Sequence, residues 1–260
     1  MMLEKTDSEI ELLRASALLV SQTLAEVGSM VRPGVTTCEL DARAEEFIRD
    51  HGAQPGFKGY HGYPNTLCTS VNSQIVHGIP SRDTVLKDGD IISVDCGVLL
   101  NRYYGDSAYT FEVGNVSEST RCLLRVTREC LFKGIEMATQ KNRIGDLSWT
   151  IQQHAESYGY SVVRELVGHG IGIHMHEKPD VPNYGRRGSG MQLRKNMVIC
   201  IEPMINKGRK EVIEEKDGWT IRTKDNEPSA HFELTVAVGE QTADVLSTFS
   251  FIEDRLKLHN

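Results

Sequence analysis

The sequence predicts an α+β fold in which two pseudo-symmetric helix-helix-hairpin halves join their strands into one curved, mainly antiparallel sheet covered by helices. Three observations predict it. The order helix, helix, strand pair runs along the chain twice; the second pass keeps a fixed offset of 107 residues from the first; and no Pro-, Gly- or Ser-rich linker separates the two. The reading is one domain over 1–260, with halves near 8–114 and 115–250.

The elements follow in order. SEIELLRASALLVSQTLAEV carries apolar residues three and four apart behind Ser8, with Glu11 three residues on, the spacing of a capping box at a helix start. TTCELDARAEEFIRDHG repeats the box with Thr36 and Glu39 and stops at Gly52. DIISVDCGVLL and SAYTFEVG read as two strands joined through Asn101 and Arg102. From Ser117 the order begins again: helical patterns at STRCLLRVTRECLFKGIEMA and GDLSWTIQQHAESYG, then strand-like NMVICIEPMI and HFELTVAVG. Shifting by 107 residues lays Leu24 on Leu131, Met30 on Met137, Leu40 on Leu147 and Gly52 on Gly159. It also lays Leu86–Asp95 on Leu193–Glu202, where six of ten pairs are identical or chemically alike. Neither half alone closes a core comfortably, so the strands should share a sheet.

The net charge of −7 comes without a run of like charge, which argues against nucleic acid or an anionic membrane as a partner. Glu4, Lys5 and Asp7 stand where a signal peptide needs an apolar stretch, and no long uncharged apolar run follows. The expected location is the cytoplasm. Six scattered cysteines with no C-x-x-C pair argue for reduced thiols rather than a zinc knuckle or a disulfide framework.

The offset superposes Asp95 on Glu202, two acids inside apolar strand runs, where an ionised carboxylate needs a partner. Asp106 and Glu233 repeat the problem in the following strand of each half, 11 and 31 residues on. A lone acid in a strand reads as an edge residue or an ion-pair partner. Four in repeated places converge across a pseudo-twofold axis, and four crowded carboxylates need protons or cations. Two divalent ions at +4 match them; oxygen ligands plus one imidazole suit Mn, Fe, Co or Zn, at the spacing of about 3.5 to 4 Å found in two-metal hydrolases. A glycosidase acid pair is the weaker use, with only two tryptophans for a sugar platform.

GHGIGIHMHE places three histidines in ten residues. His169 offers the nitrogen ligand. Extended, its seven steps to His176 span roughly 23 Å, too far to share an ion unless Gly168, Gly170 and Gly172 let the chain fold back or mark a tight loop across the sheet. Strand alternation sets Gly172, His174 and His176 on one side and Ile171, Ile173 and Met175 on the other. His77, between an apolar strand and a turn at Gly78 and Pro80, reads on spacing alone as a structural residue.

Taken in order, VHGIP, ISVDCG, GDSAYTF, GHGIGIHMHEKP, IEPMI, DGWTIRTKD and SAHFELTVAV resemble the methionine aminopeptidases, specifically the short bacterial type I form. The resemblance runs over nearly the whole chain. It implies the pita-bread fold around a dinuclear centre of divalent ions (Co, Mn, Fe or Zn), with Asp95, Asp106, His169, Glu202 and Glu233 as metal ligands and Asp106 and Glu233 bridging. It implies His77 and His176 as substrate contacts, Glu202 as the base, and Tyr60, Tyr63, Cys68, Met175 and Trp219 as pocket residues. Met175 stands where the family commonly has Phe, and Phe57 where relatives often have a smaller group. The implied activity is removal of the initiator methionine before a small second residue, from the N-termini of nascent polypeptides at the ribosome, by a monomer. Proline-specific relatives of the same fold carry a histidine four residues ahead of the GHGIG histidine, where this chain has Glu165; non-catalytic relatives usually lose ligands, and all five are present.

Overall fold

The computed structural model describes residues 3–258. Helix α1, Asp7–Gly28, opens on Thr6, whose hydroxyl accepts from the Glu9 N–H at 3.3 Å while the Glu9 carboxylate accepts from the Thr6 N–H at 2.8 Å. The capping box expected on Ser8 and Glu11 thus sits two residues earlier. Thr6 and Glu9 have the same spacing, and the backbone at Thr6 is extended as a cap requires, whereas Ser8 already lies in the first turn. Helix α2, Thr37–Asp50, carries the box on Thr36 and Glu39 as expected. Helices α3, Glu118–Glu136, and α4, Ile144–Ser157, follow, the first capped by Ser117. Gly52 and Gly159 end α2 and α4 at φ +71° and +78°, a conformation most other residues resist. A fifth helix, α5 at Ser250–Leu258, falls outside the repeat and packs on α1.

In the first half, Ile91–Leu100 pairs in unbroken register with Tyr103–Glu112. Asn101 and Arg102 both take positive φ (+50° and +72°), the tight turn whose twist matches that of the strands it joins. The second half builds the same hairpin in pieces. Val198–Ile201 pairs with Leu234–Ala237, and Met204–Asn206 pairs with Ser229–His231, so both strands break at one level, between Ile201 and Met204 and between His231 and Leu234. Pro203, which has no N–H to give a ladder, sits in the first break. Glu202 and Glu233 occupy the two breaks.

Among the described residues the strands form four antiparallel sheets, and the two halves meet at a seam between Tyr103–Glu112 and the Ser229–Ala237 segment. There Glu233 N–H donates to the Ala108 carbonyl at 2.9 Å and the Thr235 hydroxyl to the Asp106 carbonyl at 2.8 Å. The long connection between the second-half strands makes its own hairpin, Val212–Glu214 with Ile221–Thr223, which pairs with Gln74–Val76 of the first half. The largest core cluster draws on both halves: the offset partners Leu24 and Leu131, Leu40 and Leu147, and Ile92 and Ile199 are all fully buried in it. Each such side chain contributes about 2–3 kcal/mol of burial. Among the described residues no helix is long and apolar enough to cross a membrane.

One buried acid ties α2 to the sheet. Asp41, 7% exposed, accepts from the Thr66 and Leu67 N–H groups at 2.9 and 2.8 Å and from Asn65 Nδ2 at 2.8 Å, fixing the start of the Leu67–Val71 strand. Asp41→Ala leaves these donors unpaired and is expected to lower the unfolding free energy by about 2–3 kcal/mol. Urea denaturation checks it; an unchanged midpoint would show that the strand start is held by other contacts.

Candidate metal centre

The site is built where the intact hairpin of the first half faces the broken one of the second. Asp106 lies opposite Gly97 in the hairpin register, and strand alternation puts Asp95, two residues before Gly97, on the same face. Asp95 and Asp106 both line the same cavity. From the other half, the two strand breaks turn Glu202 and Glu233 toward them.

His169 comes from the short strand Gly168–Gly170. Its Nδ1 lies 2.9 Å from the Gly170 carbonyl, which can only accept, so Nδ1 carries the proton and Nε2 presents a lone pair. That lone pair faces Glu202 Oε1 at 3.6 Å and Asp106 Oδ2 at 3.8 Å. Ligand atoms of Asp106, His169, Glu233 and Cys200 all lie within 4.8 Å of one another. Cys200, absent from the expected set, precedes Glu202 by two residues on its strand; burial, then the charge of Glu233, holds its thiol well above the usual range and therefore protonated.

Asp95, Asp106, His169, Glu202 and Glu233 line one cavity of about 510 Å³, with no Lys or Arg among its lining residues. Burial raises the Asp95 carboxyl to about 7. Burial and then the neighbouring acids push Asp106, Glu202 and Glu233 well above the usual carboxylate range. Asp95 Oδ1, Asp106 Oδ1 and Glu233 Oε1 are buried without any hydrogen-bond partner among the described residues. Four acids, one imidazole lone pair, orphaned oxygens and no described Lys or Arg fit divalent cations. A larger open groove of about 1230 Å³ beside α3 mixes arginines and glutamates and gathers no such set.

The histidine-rich segment departs from the extended reading. After Gly170 the chain folds back, so that Gly170 pairs with Glu177 of the next strand, Glu177–Val181. The rings of His169 and His176 come within 4.3 Å of each other, centroid to centroid. The glycines serve by smallness, not by positive φ: a side chain at Gly168 would strike the Cys200 carbonyl at 2.4 Å and one at Gly170 the Lys178 carbonyl at 2.4 Å. Lys5 locks the turn through a 2.6 Å ion pair with Glu177, which also accepts from the His174 N–H at 3.2 Å. The expected alternation of faces does not hold in this bend: Ile171 and Met175 are buried, while Ile173 and His174 are exposed.

His176 Nδ1 lies 2.9 Å from the Tyr60 hydroxyl. His77 lines the cavity with φ +59°, an uncommon conformation for a non-glycine residue and one that often marks a functional position. Burial pushes its pKa down, as it does for His176. The pairing of Gln74–Val76 with Ile221–Thr223 brings Trp219 to His77, with ring centroids 6.5 Å apart. Tyr63 stacks edge-on to Trp219 at 5.1 Å and donates to the Leu67 and Gly78 carbonyls, and Cys68 lies opposite Asp95 in the strand register. Tyr60, Tyr63, Cys68 and Trp219 therefore all line the cavity. Met175, expected among the pocket residues, does not: it is fully buried behind the wall, packed with Phe57 over Gly97, and Phe57 takes the lining place.

His231, like Cys200 and His61, was left unassigned by sequence reasoning. It precedes Glu233 by two residues, lines the cavity and is held neutral by burial, which brings its pKa down to about 3. Strand alternation in SAHFE was the signal that could have found it.

Residues 11–240 match the description of metallopeptidase family M24. A methionine aminopeptidase of Clostridium perfringens is 51% identical over 247 residues, 95% of this chain and 99% of that protein. Another, of Clostridium acetobutylicum, is 49% identical over the same share of each chain. The crystal structure of methionine aminopeptidase from Thermotoga maritima superposes with a TM-score of 0.93 at 43% identity, covering 95% of this chain and all of that one. The shared architecture is the pita-bread fold. The chain belongs to metallopeptidase family M24, within its methionine aminopeptidase group.

Proposed function

We propose that this chain removes the initiator methionine from new polypeptides, favouring a small second residue. The observation that carries the reading is the convergence of four carboxylates and one imidazole lone pair in a cavity whose described lining has no Lys or Arg and includes several aromatic rings. Asp95, Asp106, His169, Glu202 and Glu233 would hold two divalent ions of the Mn, Fe, Co or Zn kind. When bound, such ions supply an acidified water and polarise a peptide carbonyl.

The residues of the chain do the rest. Glu202 accepts the proton of the attacking water as its oxygen bonds to the first peptide carbonyl carbon, and returns that proton to the amine when the C–N bond breaks. The Tyr60 hydroxyl lies 2.9 Å from His176 Nδ1; donating there, it would keep the His176 proton on Nε2, to be offered to the carbonyl oxygen as negative charge develops. His77 orients the peptide past the scissile bond. Phe57, Tyr60, Tyr63, Cys68 and Trp219 receive the methionine side chain, and the free amine sits at the Asp95 end, so only chain ends are cut. The substrates would be N-termini of nascent polypeptides, met at the ribosome in the cytoplasm by a monomeric enzyme.

Glu165, rather than a histidine, lines the cavity four residues ahead of His169, which favours methionine over proline chemistry. Met-Ala-Ser is expected to show a kcat/KM at least about 10²-fold above Met-Lys-Ser, because a long second side chain clashes. Ala-Pro should be poorer still. A preference for Ala-Pro in the same assay would replace this reading with a proline-specific peptidase.

A further inference from the structure

We propose that His231 is a positioning residue for Glu202: its Nε2–H holds one oxygen of that carboxylate and so sets the plane in which the other faces His169 and the remaining acids. The inference rests on Glu202 acting as the base. It starts from an anomaly. The His231 side chain is 1% exposed, yet both ring nitrogens lack a hydrogen-bond partner among the described residues. Buried polar atoms are nearly always paired, so an unpaired imidazole on the wall of a site asks for a partner there.

The backbone does not explain the ring. His231 N–H donates to the Thr110 hydroxyl at 3.0 Å, and that hydroxyl donates to the His231 carbonyl at 2.7 Å. Across the strand pair, His231 is the register partner of Met204, two residues past Glu202. The main chain is thus clamped from both halves, and the ring is aimed at the break that carries the glutamate. Its Nε2 lies 3.9 Å from Glu202 Oε2, while Oε1 of the same carboxylate lies 3.6 Å from His169 Nε2. Each oxygen of Glu202 therefore faces a different imidazole. The gap to His231 is about 1 Å beyond a hydrogen bond. The last torsion of a glutamate is broad, and a gap of that size is within the travel of an oxygen turning about it with the backbone fixed. His169 Nδ1 already donates to a carbonyl, which leaves its Nε2 unable to donate. His231 is then the imidazole able to give a proton to the carboxylate.

Three variants test the assignment. Glutamine carries its amide nitrogen as far from Cα as the Nε2 of histidine, and asparagine only as far as Nδ1, so the two place a donor at different ring positions. Measured on Met-Ala-Ser, His231→Leu and His231→Asn should lower kcat by about 10- to 100-fold, the size of effect seen when a partner that orients a metal-site group is lost. KM should stay within about twofold, and His231→Gln should restore kcat to within about threefold. Metal stoichiometry from isothermal titration should match wild type in all three. Asparagine as good as glutamine, wild-type kcat in the leucine variant, or loss of a metal equivalent in any variant would overturn the assignment. Should the leucine variant fail to fold, the comparison of glutamine with asparagine decides alone. A wild-type protein inert toward Met-Ala-Ser would instead remove the proposed function.

Discussion

Glu202→Gln is expected to keep the fold and lower kcat on Met-Ala-Ser by at least about 10³-fold, since a general base alone is worth about 10² to 10⁴ and a charged ligand is lost with it. The fold should survive because the side chain lies in a strand break rather than in a ladder, and its neighbours Ile201 and Met204 keep their pairing through backbone atoms. Glutamine has nearly the same shape and removes an ionisable group that is held well above the usual carboxylate range first by burial and then by the charges of Asp95 and Asp106, so both penalties are relieved. Thermal stability of the metal-free variant should therefore equal or exceed that of the parent while activity collapses. Near-normal kcat would show that the proton of the attacking water goes elsewhere.

The second large effect separates the two histidines whose rings lie side by side. Distance along the chain cannot tell them apart, because the fold-back brings their centroids to 4.3 Å. Their hydrogen bonds can. His169 donates from Nδ1 to the Gly170 carbonyl, so its lone pair faces Asp106 and Glu202; His176 is tied to Tyr60. His169→Ala should weaken metal binding as well as rate. His176→Ala should keep the full metal content and lose about 10² to 10³ in kcat, the size of one lost oxyanion donor. His174, exposed on the turn, has neither set of contacts, and His174→Ala should stay within about threefold of wild type, as surface changes usually do. Metal analysis beside kcat for the three variants checks this. Equal metal loss for His169→Ala and His176→Ala would make both ligands, and a rate collapse for His174→Ala would give that residue a role no contact here suggests.

Much of this site was legible because its chemistry lies on repeated elements. The offset pairing Leu40 with Leu147 also paired Asp95 with Glu202, and the acids of all four strands do meet in one cavity. What sequence reasoning missed depends on long-range register and close approach. Local periodicity cannot show that NMVICIEPMI and HFELTVAVG break at the same level, yet that break turns Glu202 and Glu233 inward. Nor can it show Gln74–Val76 pairing with Ile221–Thr223, the contact that sets Trp219 beside His77. The glycines around His169 suggested freedom of φ, whereas their use is the passage of neighbouring carbonyls within 2.4 Å of a missing side chain. The family resemblance implied a pocket place for Met175, but the bend turns it inward beneath Phe57.

The central claim is that the site turns over substrate only with divalent metal held by the five donors. Titration of Co or Mn into exhaustively demetallated protein, with heat of binding and turnover of Met-Ala-Ser followed together, tests it most directly. The five-donor geometry predicts no turnover without metal, recovery as the sites fill, and saturation at two equivalents per chain; full turnover in the metal-free protein, or no binding at all, would contradict it.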